Sequence, residues 1–171
     1  MERKKVLYCD KYPAPPDQQR MLAAVKVITD SLRLKFHVAQ FFDLSPQIFE
    51  TIESENQYRT VDALVSHAPA NPDAFETLLP EELSQKQKFA AMYYESLDII
   101  KRLRQTYPAL PIIIYTGSYP DIAERDKYPG ALNAKELILS AGANRVVFKS
   151  AKADWANDAK RIEKCLDSLL T

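Results

Sequence analysis

The sequence predicts an α/β fold, a parallel sheet with helices packed on both of its faces. Three observations carry that expectation. Short apolar runs alternate with stretches of helical periodicity five times along the chain, and a repeated strand–helix alternation builds a parallel sheet through crossover connections. One of the runs, PIIIYT at 111–116, is apolar almost throughout, as a strand covered on both faces has to be. The runs also end in polar residues, namely Asp10, Ser66 with His67, Thr116, and Lys149. Open α/β sheets place their functional crevice beyond those carboxyl ends.

The elements follow in order. KKVLYC at 4–9 is a first strand ending at Asp10, where YPAPPD breaks it. Asp17 is placed to cap a helix in which Met21, Leu22, Val25, Ile28 and Leu32 recur at helical spacing. KFHVAQFF is the second strand, and Ser45-Pro46 opens a short helix with Ile48, Phe49 and Ile52 on one side. VDALVS is the third strand. A long helix from about residue 82 to 106 turns Tyr93, Leu97, Ile100 and Leu103 inward, and Pro108 to Pro111 closes it ahead of PIIIYT. AKELILSAG is a short helix with Gly142 as its C′ residue. NRVVF is the last strand, and Asp154 caps a final helix carrying Trp155, Ile162, Leu166 and Leu169. No repeat or linker interrupts the pattern. Residues 1–171 are expected to form one domain, with long loops at about 68–82 and 117–133.

Composition removes whole classes of function. Three glycines cannot write a dinucleotide fingerprint or a phosphate-cradling loop, each of which needs several close together. Two histidines, His37 and His67, leave no material for a histidine-based metal cluster. Formal net charge is zero, from 23 basic and 23 acidic residues, so no long-range attraction draws the chain to nucleic acid or an anionic membrane. No apolar run reaches membrane-spanning length, and MERKKVLYCD lacks a signal peptide's apolar core. Cys9 and Cys165 stand far apart in unlike contexts, which suits a reducing cytoplasm.

The strand ends carry a resemblance. ALPIIIYTGS followed by SAGANRVVFKS is similar to the second half of a response-regulator receiver domain of the CheY-like family. ESLDIIKRLRQTYPALPIIIYT fits the same family, VDALVSH aligns with its central strand, and KKVLYCDKYP with its opening strand. The resemblance implies a flavodoxin-like (βα)5 three-layer sandwich with strand order 2-1-3-4-5, in the setting of bacterial two-component signalling. By position, Thr116 and Lys149 match the threonine and lysine that hold an aspartyl phosphate in that family. The phospho-accepting aspartate, however, falls on His67. The acidic pair that binds magnesium falls on Asp10 and Lys11, the switch aromatic on Val146, and the proline after the lysine on Ser150. Magnesium wants oxygen ligands, and neither imidazole nor ammonium serves. The resemblance therefore implies a degenerate pseudo-receiver with no magnesium cofactor and no enzymatic activity, acting through a protein partner. A signalling kinase, an output protein or a second copy of the chain fits that role.

Other readings stay open at this stage. A phospho-signalling regulator would need an unusual acceptor such as His67 or Asp73. A small ligand-binding domain or enzyme would use Asp10, His67, Thr116 and Lys149 around an anion. Structural roles compete residue by residue. His67 reads as a strand-end residue bonded to the backbone or to Ser66, although neighbours on a strand face opposite ways. Cys9 reads as a buried small hydrophobe. Trp155, Tyr93 and Tyr94 read as packing residues, Arg20 and Lys26 as helix surface, and the cations of IIKRLRQ as a solvated face. The 117–133 loop is longer than most connections, and its Tyr119 and Tyr128, each followed by proline, offer aromatic anchors for an interface.

Overall fold

The computed structural model describes residues 2–10, 18–42, 47–53, 61–68, 85–116, 134–150 and 152–171. The elements are β1 (Lys5–Asp10), α1 (Gln18–Arg33), β2 (His37–Phe42), α2 (Gln47–Glu53), β3 (Ala63–Ser66), α3 (Gln85–Thr106), β4 (Ile112–Thr116), α4 (Ala134–Ser140), β5 (Arg145–Phe148) and α5 (Trp155–Leu169). The strands form one five-stranded parallel sheet in the order β2-β1-β3-β4-β5. This is the flavodoxin-like order expected from the sequence.

Strand alternation sorts the core into two halves. Val6, Tyr8, Ala63, Val65, Ile113, Tyr115 and Val147 face one side, where Val25, Ile28 and Leu32 of α1 and Ala159, Ile162 and Leu166 of α5 cover them. Leu7, Cys9, Leu64, Ile112 and Ile114 face the other, against Ile48 and Ile52 of α2, Leu97, Ile100 and Leu103 of α3, and Ile138 of α4. Because β1, β3 and β4 are covered on both faces, their sequences read as apolar runs. Cys9 is buried among hydrophobes as expected.

Several local expectations meet the structure directly. Asp154 caps α5, its side chain accepting from the Asn157 N–H at 3.1 Å. Leu22 was placed on the apolar stripe of α1 but is 42% exposed, because the buried stripe runs through Val25, Ile28 and Leu32. The proposed caps Asp17 and Ser45, and the side chain of Tyr93, lie outside what is described. Tyr94 packs part-buried against the α2–α3 side of the core.

The IIKRLRQ cations need a correction. Lys101 and Arg102 are exposed, but Arg104 is tied into the fold at the end of α3. Its Nε donates to the Gly142 carbonyl at 2.9 Å and its Nη2 to Asn144 Oδ1 at 2.6 Å. Asn144 Oδ1 also accepts from the Ile112 N–H at 2.8 Å, while the Asn144 N–H donates to the Ile112 carbonyl at 2.7 Å. The end of α3, the turn after α4 and the start of β4 are thus held as one unit. Among the described residues no helix is long and apolar enough to cross a membrane.

Gly142 is required twice in that unit. Its φ is +117°, and a Cβ there would stand 2.8 Å from Cβ of Arg104. Gly142→Ala is expected to destabilise the domain by about 2 kcal/mol. Urea unfolding should show a lowered midpoint with an unchanged slope; a midpoint equal to that of the parent chain contradicts this account.

Candidate functional site

The polar ends of β1, β3, β4 and β5 meet along one edge of the sheet, and each end is held by its neighbour. Asp10 closes β1 and is 4% exposed; the phenol of Tyr8, two residues earlier on the same strand face, donates to its Oδ2 at 3.1 Å. His67 follows β3 and is also 4% exposed. Its N–H donates to the Cys9 carbonyl at 2.8 Å, and its Nδ1 lies 3.1 Å from the Tyr115 carbonyl. A carbonyl can only accept, so Nδ1 carries the proton of that bond. Ser66 turns its hydroxyl to the His67 carbonyl at 3.1 Å and not to the imidazole. The structural reading of His67 as a backbone-bonded strand-end residue holds, with Tyr115 as the partner.

Thr116 is fully buried at the end of β4, and its hydroxyl donates to the Ala68 carbonyl. Lys149 extends the β4–β5 ladder by one step, its N–H donating to the Thr116 carbonyl at 2.7 Å. Its Nζ stands 5.0 Å from the centroid of the Tyr115 ring, in cation–π contact. Thr116 shares the strand face of Ile112 and Ile114, whereas Tyr115, beneath Lys149, belongs to the opposite face. Val146, at the switch-aromatic position, is half-buried opposite Ile114. Lys11, Asp73, Tyr119, Tyr128 and both long loops beyond Ala68 lie outside the described residues.

Sequence reasoning missed a buried polar network beside this edge. Asp158 of α5 is wholly buried. Its Oδ2 accepts from the Tyr115 phenol at 2.8 Å, the Ser150 N–H at 3.1 Å and the Ser150 hydroxyl at 3.4 Å, and its Oδ1 from Arg161 at 3.3 Å. A buried carboxylate survives when donors satisfy it in this way. The signal was present in the sequence: Asp158 falls on the same apolar stripe of α5 as Ile162 and Leu166, where a charge demands partners. Burial raises the pKa of Tyr8 well above the ordinary phenol value, with the nearby Asp10 charge adding to it. Burial likewise raises that of Tyr115, reinforced by its bond to Asp158.

Asp10 and Lys149 line a pocket of about 210 Å³ between α1 and α5, together with Arg20, Met21, Tyr115 and Trp155. His67 and Thr116 are outside it. Arg20 and Trp155, read from sequence as surface and packing, are thus brought to the edge that bears Asp10 and Lys149.

No family model matches the chain, and no curated protein matches it. Solved structures do. A phosphorylated cyanobacterial phytochrome response regulator, RcpA, is 12% identical, covering 99% of this chain and 95% of its own, with a TM-score of 0.57. A CheY-like response regulator receiver domain protein from Methanospirillum hungatei is 15% identical over 98% of this chain and 97% of its own, with a TM-score of 0.54. A response regulator from Thermotoga maritima is 17% identical over 96% and 98%, with a TM-score of 0.51. At such identities the likeness establishes the receiver-type fold and nothing finer.

The buried phenols give a signed pH dependence. Phenols of an unfolded chain ionise near ~10, while the fold keeps Tyr8 and Tyr115 protonated beyond that. Above about pH 10 the unfolded chain releases protons that the folded one retains, so stability falls as pH rises towards the folded values; below it these groups contribute no slope. Urea unfolding monitored from about pH 8 to about pH 11 should show this fall, steeper in the parent than in Tyr115→Phe. At neutral pH Tyr115→Phe is expected to cost about 1–2 kcal/mol, since Asp158 loses a donor. A flat profile in the parent would refute the assignment.

Proposed function

We propose that this chain is a pseudo-receiver: a signalling domain that acts by binding another protein, without phosphorylation of its strand-end residues and without a magnesium cofactor. One observation carries this reading. The imidazole at the acceptor position and the hydroxyl at the conserved-threonine position are both engaged with main-chain carbonyls, His67 with Tyr115 and Thr116 with Ala68. A phosphoryl group arriving there would have to displace both bonds, and would meet no carboxylate nucleophile at 67.

The donor set at this edge also suits magnesium poorly. The ion needs several oxygen ligands with carboxylates supplying the charge. Asp10 is the sole acid among the aligned positions, Lys11 replacing its neighbour. Among the described residues no three His, Cys, Asp or Glu side chains are grouped to hold a metal. Without a metal, the charge on an incoming phosphoryl group has no counter-ion of the usual kind. The reading leaves the domain a non-enzyme whose output is a surface. The 117–133 loop, with Tyr119 and Tyr128, is the contact assigned to a kinase, an output protein or a second copy of the chain.

Magnesium with beryllofluoride, a phosphoryl mimic, tests this by amide NMR. The expected outcome is no saturable shift at Thr116, Lys149 or their neighbours, and no phosphoryl incorporation from acetyl phosphate; a saturable shift at these amides sinks the reading. The double substitution Lys11→Asp with His67→Asp is expected to create magnesium binding measurable by calorimetry. Failure of the folded double variant to bind the metal would show the positional alignment to be wrong.

A further inference from the structure

We propose that the segment entering α5, residues 152–157, is a strained gate on the pocket between α1 and α5, latched shut by Ser150. This gives the domain a local conformational change of its own. It goes beyond the interaction role and does not depend on that role being right.

Strain is the first observation. Ala153 has a φ of +53°, in the left-handed region that glycine enters freely and an alanine, with its Cβ, does not. Such a residue persists only where its surroundings hold it, and residues of this kind gather at switches and clamps. Here Ser150 does the holding. The Ala153 N–H donates to the Ser150 carbonyl at 3.2 Å, and the Asp154 N–H to the Ser150 hydroxyl oxygen at 2.8 Å. A hydroxyl accepts through its lone pairs and still has a proton to give. The same hydroxyl donates to Asp158 Oδ2 at 3.4 Å. Ser150 thus stands between the strained turn and the buried carboxylate.

The distances decide which link yields. Asp158 Oδ2 accepts from the Tyr115 phenol at 2.8 Å but from the N–H and hydroxyl of Ser150 at 3.1 and 3.4 Å; the longer bonds are the weaker ones. Release at Ser150 leaves Asp158 with Tyr115 and Arg161, so no buried charge is stranded. It also frees Ala153 from its backbone strain. Opening this turn therefore costs less than opening an unstrained helix start. The body of α5, packed through Ala159, Ile162 and Leu166, stays in place. Ser150, Ala153 and Trp155 all line the pocket, so movement of 152–157 reshapes it.

Native-state amide hydrogen exchange of the full chain tests the gate. The amides of Asp154, Trp155 and Asn157 are expected to exchange at least about tenfold faster than those of Ile162 and Leu166, with rates insensitive to low urea, as local opening requires. Ala153→Gly should slow the three gate amides about fivefold, because glycine relaxes the closed turn. Ser150→Ala should speed them about fivefold, the loss of one hydrogen bond. Tyr115→Phe separates the gate from the global fold: it is expected to speed Ile162 and Leu166 while leaving the gate amides within about twofold of the parent, since opening does not break the Tyr115 bond. If Ser150→Ala does not fold, the parent chain and Ala153→Gly decide. Gate amides that share the urea dependence of Ile162, faster gate exchange in Ala153→Gly, or gate amides speeded by Tyr115→Phe as much as Ile162 and Leu166 would each overturn the proposal.

Discussion

A strand buried on both faces has no place for a polar side chain except at its ends. That constraint governs β1, β3 and β4, whose Leu7, Leu64 and Ile112 pack one way and Val6, Val65 and Ile113 the other. Chemistry is thereby confined to the carboxyl edge, where each strand runs out of helix to cover it. The edge is then only as open as its own hydrogen bonds allow. Here it is largely closed on itself: β1 receives the His67 N–H through the Cys9 carbonyl, β4 receives the His67 ring through the Tyr115 carbonyl, and β5 is continued by the Lys149 N–H. The result is a set of strand ends stitched laterally, in which the side chains double as structural ties.

Two phenols evade the constraint, and they explain where the remaining polarity went. Tyr8 and Tyr115 lie within the buried face between the sheet, α1 and α5, yet each carries its hydroxyl to a carboxylate, Asp10 and Asp158. A phenol is suited to this, since its body packs as a hydrophobe and its tip still finds a partner. The carboxylates in turn avoid isolated burial. Asp158 anchors the start of the last helix to β4 through Tyr115, and to the turn after β5 through Ser150. The face covered by α1 and α5 thus carries a polar seam that runs up to the pocket.

Much of this was readable before any coordinates. The strand–helix alternation, the C′ role of Gly142 and the cap at Asp154 follow from periodicity and turn chemistry, which are local properties, whereas the strand order was what the receiver resemblance implied. What local patterns do not encode is which residue a long side chain reaches. Arg104 looked like one of a run of surface cations because its helical position faces outward; its guanidinium nonetheless reaches the carbonyl of Gly142 and the amide of Asn144, 38 and 40 residues away. Trp155 and Arg20 were legible as one helix's first residue and another's surface. Their meeting at one pocket depends on α1 and α5 sharing a sheet face.

If the chain is a pseudo-receiver as proposed, Lys11 and His67 in place of the family's acids make physical sense as one change. A strand edge bearing several carboxylates in near contact is self-repelling, and a divalent cation is what normally holds such a group together. On the reading proposed above, this chain keeps Asp10 alone and surrounds the edge with side chains that need no metal. A histidine whose Nδ1 is bonded to the Tyr115 carbonyl carries no obligatory negative charge into the fold, as a carboxylate in its place would. Lys149 meanwhile brings positive charge from the chain itself to this edge. Reverting His67 alone would return an acid to a buried edge beside Asp10 with no cation added. On that reading the two departures belong together, since an acid at 67 would call for a cation that a lysine in place of an acid at 11 does not help to bind.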